Sequence, residues 1–344
     1  MIGERAGVIL IEAESQPGYH STGRSAAFWS ESYGGPLVQP LTSASRPWLE
    51  ENGFLHARGC IHVADAQGRP ALEALANEMA GCHVAHEWLD RAQLEMIIPG
   101  LRPQFTSGLT EPTCRDIDVA GLHGDFLARA RRTGATLLTG AAVSAITRER
   151  SEWRITTRGG DVRAPILVNA AGAWAGTIAA MAGAAPILIQ PYRRTIAQLS
   201  TDPPMSADMP LVMDALGRFY FKPEAGGRLW LSPHDETPVD PHDVAPEELD
   251  VAIAIDRFEH AVEWRVLRRE RAWAGLRSFA PDRLPVYGFD AEAPGFFWFA
   301  GQGGFGIQTA PAAAMIAASM LLGTPLPEVV TAIDPARYSP TRFG

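Results

Sequence analysis

Three short apolar runs, set far apart in the chain, constrain the fold more than any other feature of this sequence. Val8-Ile9-Leu10-Ile11 lies between Gly7 and Glu12. Pro165-Ile166-Leu167-Val168-Asn169 is followed by Ala170-Ala171-Gly172 and a helical stretch from about Trp174 to Ala182. Phe296-Phe297-Trp298-Phe299-Ala300 leads into a glycine-rich turn and a helical run from Thr309 to Leu322. Runs this short and this continuously apolar read as strands buried on both faces, as in a parallel sheet. Strand, small-residue turn and helix, repeated, predict a doubly wound α/β domain assembled from separated parts of the chain.

Between these parts the texture changes. Alternating stretches such as Arg218-Phe219-Tyr220-Phe221-Lys222 and Arg228-Leu229-Trp230-Leu231 are punctuated by Pro203-Pro204, Gly226-Gly227 and Pro233. They predict an α+β second domain with a mainly antiparallel sheet, interrupted by helices near Pro70–Ala80 and Pro246–Val262. The expected division is discontinuous: residues 1–52, 111–185 and 281–344 in the doubly wound domain, residues 53–110 and 186–280 in the other. A length of 344 residues suits two domains.

Charge and residue usage remove several function classes. The net charge of −9 and the lack of a basic run disfavour nucleic acid as a partner. Lys222, the only lysine, sits in Phe-Lys-Pro, which suits neither a phosphate-binding Gly-Lys-Ser/Thr loop nor a Schiff base. Cys60, Cys82 and Cys114 are scattered and read as reduced, buried thiols. Glu4, Arg5, Glu12 and Glu14 do not read as a signal peptide. The uncharged stretch 164–190 holds Pro165, Asn169 and Pro186 and reads as strand and helix, with no transmembrane segment expected. The expected location is cytoplasmic, with peripheral attachment to the inner membrane left open.

Glu12 closes the first run, where a dinucleotide-binding fold places the acid that accepts ribose hydroxyls at the end of its second strand. The Gly-x-Gly-x-x-Gly turn that seats a pyrophosphate belongs about 20 residues earlier. Eleven residues precede Glu12 and hold no such turn. The expectation is a doubly wound domain lacking its first strand and glycine-rich loop, with residues 3–7 as the tail of its first helix. Gly301, Gly303 and Gly306 do match the pattern between a strand and a helix, but no acid follows in a further strand–helix–strand unit. Close backbone approach and the amide donors of the helix beginning near Ile307 point instead to a seat for negative charge on a reduced cofactor ring.

Four separated motifs carry a family likeness. Glu12 with Gln16–Ala27 (QPGYHSTGRSAA), Val168–Trp174 (VNAAGAW), Trp273–Phe279 (WAGLRSF) and Gln302–Thr309 (QGGFGIQT) together resemble the FAD-dependent D-amino-acid oxidase/dehydrogenase superfamily, and within it the bacterial D-arginine dehydrogenase type. The resemblance spans nearly the whole chain. It implies FAD as cofactor and oxidation of an amine carbon by hydride transfer to flavin N5. The resulting imino acid hydrolyses to a 2-oxo acid and ammonia. Oxygen, a quinone or a carrier protein would be the electron acceptor.

The resemblance also implies roles. Arg277 and Arg194 would fork the substrate carboxylate, Tyr220 would add a hydroxyl, Tyr33 would stand on an active-site loop, and the Gly304 carbonyl would hold the amine. Ser21, Thr22, Arg24, Ser25, Ala26 and Ala27 would line the flavin. Val143 would meet the adenine. Glu12, Ala170, Gly172, Trp174, Gly301, Gly303, Gly306 and Ile307 complete the expected cofactor seat. Phe28, Cys60, Leu211, Met213 and Gln308 would line the substrate pocket. Cys60 stands where the D-arginine enzyme has an acid, and Phe28 where it has a histidine. A thiol, thioether and aromatic lining implies a neutral or apolar D-amino acid.

Other readings stay open on the residues alone. Arg194, next to Arg193, also reads as a solvated charge, Tyr220 as a strand core residue, and Glu31–Gly35 as an exposed turn. Asp116 and Asp118 suggest turn and capping roles before a helix over 121–133. Cys82, His83 and His86 lack the second pair a zinc finger needs, so no metal is expected. The alternatives for function are a sarcosine or glycine oxidase, a 2-hydroxy-acid dehydrogenase, or a cofactor-poor, non-catalytic chain. The chain as written is expected to bind FAD weakly or misfold, and about 25 more N-terminal residues to restore binding.

Overall fold

A computed structural model describes residues 2–344. In chain order the first part forms β1 (Ile9–Ile11), β2 (Phe28–Trp29), α1 (Gln39–Glu51), β3 (Leu55–Ala57), β4 (Cys60–Ala64) and α2 (Arg69–Gly81). There follow β5 (Glu87–Leu89), α3 (Arg91–Ile97), β6 (Ser107–Glu111), β7 (Arg115–Ile117), α4 (Val119–Arg132) and β8 (Thr136–Leu138). Next come β9 (Val143–Glu149), β10 (Glu152–Thr157), β11 (Gly160–Ala164), β12 (Leu167–Asn169) and α5 (Ala175–Ala182). The rest comprises β13 (Gln190–Asp202), β14 (Leu211–Asp214), β15 (Tyr220–Glu224), β16 (Arg228–Ser232) and β17 (Thr237–Pro238). It ends with α6 (Glu248–Ala261), β18 (Arg265–Phe279), β19 (Val286–Phe289), β20 (Phe296–Ala300) and α7 (Gly306–Leu322).

The fold is mixed α/β, dominated by one nine-stranded, mainly antiparallel sheet in the order β17-β13-β16-β15-β14-β4-β6-β5, with β18 on the far side of β13. Alternation in the sequence decides its two faces. Phe219, Phe221, Leu229, Leu231, Ala197 and Leu199 enter one core with Val251, Ala254 and Phe258 of α6. Each large side chain buried there contributes about 1.5–3 kcal/mol. The intervening residues share the other face. Directly opposed partners are Tyr192 and Arg277, Arg194 and Gly275, Lys222 and Trp230, Met213 and Tyr220, and Cys60 and Glu111. Nearly every polar group discussed below stands on that face.

The parallel strands behave differently from expectation. β1 pairs in parallel with β8, and β12 pairs in parallel with β20, but the two pieces share no ladder among the described residues. Ile9 is 46% exposed and Val168 41%, so neither run is buried on both faces. Each strand has a partner on one side only, which leaves apolar side chains uncovered. Phe296, Phe297 and Trp298 of β20, flanked by β12 and β19, are fully buried as predicted.

Local deviations have simple causes. Asp118 accepts from Gly121 N at 2.9 Å and caps α4. Asp116 does not cap; it takes Lys222 Nζ and Arg58 Nε, both at 2.7 Å. Lys222 is thereby buried with a counter-charge, as a buried ammonium requires. Arg193 is no solvated charge either, being 7% exposed and paired with Glu247 and Asp250. Helix α7 starts at Gly306, three residues before the expected Thr309. His86 Nδ1 lies 2.9 Å from the Val84 carbonyl, and Cys82 ends α2. Among the described residues no helix is long and apolar enough to cross a membrane.

Candidate active site

Open α/β sheets bind ligands beyond the carboxyl ends of their parallel strands. Here the ends of β1 (Glu12), β12 (Ala170 to Gly172) and β20 (Gln302 to Gly306) converge on one cavity of about 680 Å³. Ser21, Thr22, Arg24, Ser25, Ala26, Val143, Trp174, Gly303, Gly304 and Ile307 line the same cavity. So do Arg194 and Arg277, which reach it from β13 and β18. The two arginines are diagonal neighbours across that ladder, and Gly275, opposite Arg194, lets the Arg24 side chain pack close against the strand.

Arg194 is 3% exposed. Its Nε donates to the Asp235 carbonyl at 2.6 Å and its Nη2 to Glu236 Oε1 at 3.0 Å. Its Nη1 is buried with no partner. Burial, and then the like charge of Arg277, pull the Arg194 pKa down to about 10. A buried guanidinium with a free donor beside a second cation calls for an anion. The Tyr220 hydroxyl is also buried and unpartnered.

Arg277 Nη1 donates to the Tyr33 hydroxyl. A Cβ at Gly304 would lie 2.2 Å from that oxygen and 2.9 Å from Arg277 Nη1, so a side chain there would have to displace the ends of Tyr33 and Arg277. A Cβ at Gly303 would meet the Phe279 ring at 2.4 Å. Helix α7 begins beside these glycines with Phe305 as its N-cap, which offers no side-chain cap. Amide donors of its first turn are thus left for a ligand. A cavity within the usual range of about 300–1,000 Å³, a glycine floor and an uncapped 17-residue helix together fit an extended dinucleotide cofactor.

The match to a family model decides the kind of cofactor: residues 3–320 match the family described as DAO, FAD dependent oxidoreductase. The chain belongs to the DAO family. FAD is the cofactor of that family, and the cavity is the part of this DAO protein that would hold it. Among relatives, the hydrogen cyanide synthase subunit HcnC of Pseudomonas aeruginosa is 27% identical over 81% of this chain and 66% of its own length. The bifunctional tRNA 5-methylaminomethyl-2-thiouridine biosynthesis protein MnmC of Burkholderia vietnamiensis is 29% identical over 97% of this chain and 58% of its own. The chain thus spans two thirds or less of these relatives. The glycine oxidase structure from Geobacillus kaustophilus superposes with a TM-score of 0.84 at 23% identity, covering 98% of this chain and 93% of that one. L-proline dehydrogenase from P. horikoshii gives 0.83 at 23% identity over 98% and 91%.

Several expected site residues of this DAO protein stand elsewhere. Gly301 and Ala27 are not on the cavity wall. Gly301 turns the chain at φ +72° after β20, and Ala27 adopts φ +58° where it enters β2. Gln308 is 2% exposed and no pocket residue; its amide is spent on Ser30, Tyr33 and Thr42. Phe28, Cys60, Leu211, Met213 and Tyr220 do gather, with Trp230 and Trp273, in a packed cluster that meets the cavity at Ala26 and Ile196, although none of the five lines the cavity itself. Tyr33 stands at the boundary, its ring 5.3 Å from Phe28 and 6.0 Å from Phe305.

Three residues have no place in the site as read from the sequence, where His62 figures only with Cys60 upstream of the Cys82, His83 and His86 group. His234 packs edge-on to Tyr220 at 5.6 Å, and burial followed by the charges of Arg194 and Arg277 holds its pKa down to about 2. His62 lies 3.7 Å from Cys60 Sγ, and burial lowers it to about 4. Glu111 is fully buried opposite Cys60, and burial raises its pKa despite three donors. None belongs to a motif; strand geometry brings His62 and Glu111 to Cys60, and the turn after β16 brings His234 to Tyr220.

Proposed function

We propose that this protein oxidises the amine carbon of a D-amino acid with a neutral or apolar side chain, yielding an imino acid that hydrolyses to a 2-oxo acid and ammonia. The observation that carries the reading is the buried, unpartnered Arg194 Nη1 beside Arg277 on one cavity wall. Two guanidinium groups fork a carboxylate and fix the adjacent carbon, which converts binding energy into orientation. FAD, when bound, supplies the two-electron acceptor for the hydride that leaves that carbon. The free Tyr220 hydroxyl is one further donor for the carboxylate, and Gly304 admits the substrate close to the backbone. Electrons would then pass to oxygen, a quinone or a carrier protein. The likeness of the motifs to the D-arginine dehydrogenase type supports the D configuration. The Phe28, Cys60, Leu211 and Met213 cluster supports an uncharged side chain.

One observation favours a second reading. Tyr33 packs on Phe28 at the edge of the apolar cluster and is held by Arg277, so on this reading a large side chain reaches the cluster only if Tyr33 moves. A small or N-substituted amino acid, of the kind named in the glycine oxidase and dimethylglycine dehydrogenase relatives, needs no such movement. An anaerobic flavin-bleaching screen of the FAD-loaded protein separates the two. Fast bleaching by D-leucine or D-phenylalanine supports the first reading. Bleaching by glycine or sarcosine alone supports the second, and preference for D-arginine overturns both.

A further inference from the structure

Glu111, at the end of β6, is a fully buried carboxylate that the oxidation just described does not use. Burying an anion is costly unless hydrogen bonds replace its water. Here every one of its donors comes from one short segment: Ser30 Oγ at 2.9 Å, Ser32 Oγ at 2.5 Å and Glu31 N at 2.7 Å. The next residue is Tyr33, whose hydroxyl accepts from Arg277 Nη1. Gln308 of α7 grips the same segment from the other side. It accepts from Ser30 N at 3.3 Å and donates to the Ser30 and Tyr33 carbonyls at 3.2 and 3.1 Å. Beyond Tyr33 the chain turns away through Gly34 and Gly35 at φ +106° and +78°. Tyr33 is therefore held by the bonds to Ser30, Glu31 and Ser32 before it, by Gln308 at its own carbonyl, and by the packing of its ring against Phe28 and Phe305.

We propose that Glu111 is a positioning residue: by holding Ser30, Glu31 and Ser32 it seats Tyr33 against Arg277 and so sets how tightly the site grips a carboxylate. The proposal rests on the reading of Arg194 and Arg277 as a carboxylate seat. A merely structural carboxylate would need no donors confined to one loop, and its loss would act on stability. A positioning carboxylate acts through Tyr33 and leaves the chemistry of bound substrate intact.

The experiment measures benzoate binding by calorimetry, and KM and kcat for the best substrate, on the FAD-saturated protein. Glu111→Gln is expected to raise the benzoate Kd and the KM about tenfold, with kcat nearly unchanged. Tyr33→Phe is expected to do the same, and the double variant to be no weaker than Tyr33→Phe alone, because the two act in series. Ser32→Ala, which leaves the buried acid in place, gives a smaller loss in the same direction and carries the cycle if Glu111→Gln fails to fold. Unchanged benzoate affinity in Glu111→Gln overturns the proposal, as do effects that multiply with those of Tyr33→Phe. So does a fall in melting temperature with KM unaltered. Benzoate has no amine, so intact coupling without bleaching by any amino acid sinks only the substrate reading. No benzoate binding to the unaltered protein removes the seat and this proposal together.

Discussion

The two ends of the cavity are built to different standards. The carboxylate end stands on β13 and β18, thirteen and fifteen residues long, inside a nine-stranded sheet whose core residues Ala197, Leu199 and Phe221 are fully buried. The cofactor end stands on β1 and β12, three residues each, in two sheet pieces with no shared ladder. Long ladders over a dense core open rarely, whereas short strands with uncovered apolar groups open often. The lesson is a division of labour. On the proposed reading, the donors for a substrate carboxylate are fixed before anything binds, and the region around Glu12 and Gly172 is expected to gain order when a cofactor binds.

The largest expected effect lies at the fixed end. Arg277→Ala removes one fork of the carboxylate seat and leaves Arg194 next to an empty space, so kcat/KM should fall about 1,000-fold. Steady-state kinetics on the FAD-loaded variant check it, and a loss of less than about tenfold would place substrate binding elsewhere. The comparison itself is tested by hydrogen exchange. Amides of β1 and β12 should exchange far faster than those of β13 and β18, and saturating FAD should slow the first pair about 100-fold while barely changing the second. Equal protection of all four strands without FAD would erase the distinction. Gly304→Ala probes the junction of the two ends. Its methyl group would displace Tyr33 or Arg277, so KM should rise about tenfold with FAD still bound. Loss of FAD instead would assign Gly304 to the cofactor end.

How legible each end was in the sequence follows the same division, but inverted. The cofactor end announces itself in local motifs, because glycines at 303 and 306 answer backbone demands, and Glu12 a strand-end position, that short stretches of chain must meet. The burial of its strands was not legible. An apolar run reports what a strand prefers to touch, and exposed Ile9 and Val168 show that preference unmet. The substrate end shows its alternation openly in residues 218–222 and 228–231, and that alternation sorted core from site. Which residues meet on the site face depends on register between strands far apart in sequence. Glu111 reaches Ser30 across 81 residues, and Gln308 reaches it across 278. Gln308 sits in a motif and so attracted a pocket role, yet its amide is a strut; a motif marks a position without telling which way the side chain works.

The smallest expected effect concerns acid, and it too separates the two ends. His62 and His234 both belong to the substrate sheet and its flanking turn, and both sit far below their ordinary value of 6.5, at about 4 and about 2. Each is therefore neutral in the folded protein and must stay so until the pH is well below the value at which it charges in the unfolded chain. A base whose folded pKa is depressed favours folding fully above 6.5, and this contribution is lost as the pH falls from 6.5 toward the folded value. The slope is about 1.4 kcal/mol per pH unit for each group. Unfolding measured by denaturant between about pH 7 and pH 5 should thus show a stability that falls with acid. His234→Asn should remove one group's share of the slope and His62→Gln the other's. The substrate sheet, although the better protected end at neutral pH, should then be the one whose amide protection factors fall most in acid. If both variants keep the full slope, the histidines are not the acid-sensitive groups, and the robustness of the carboxylate end would extend to low pH as well.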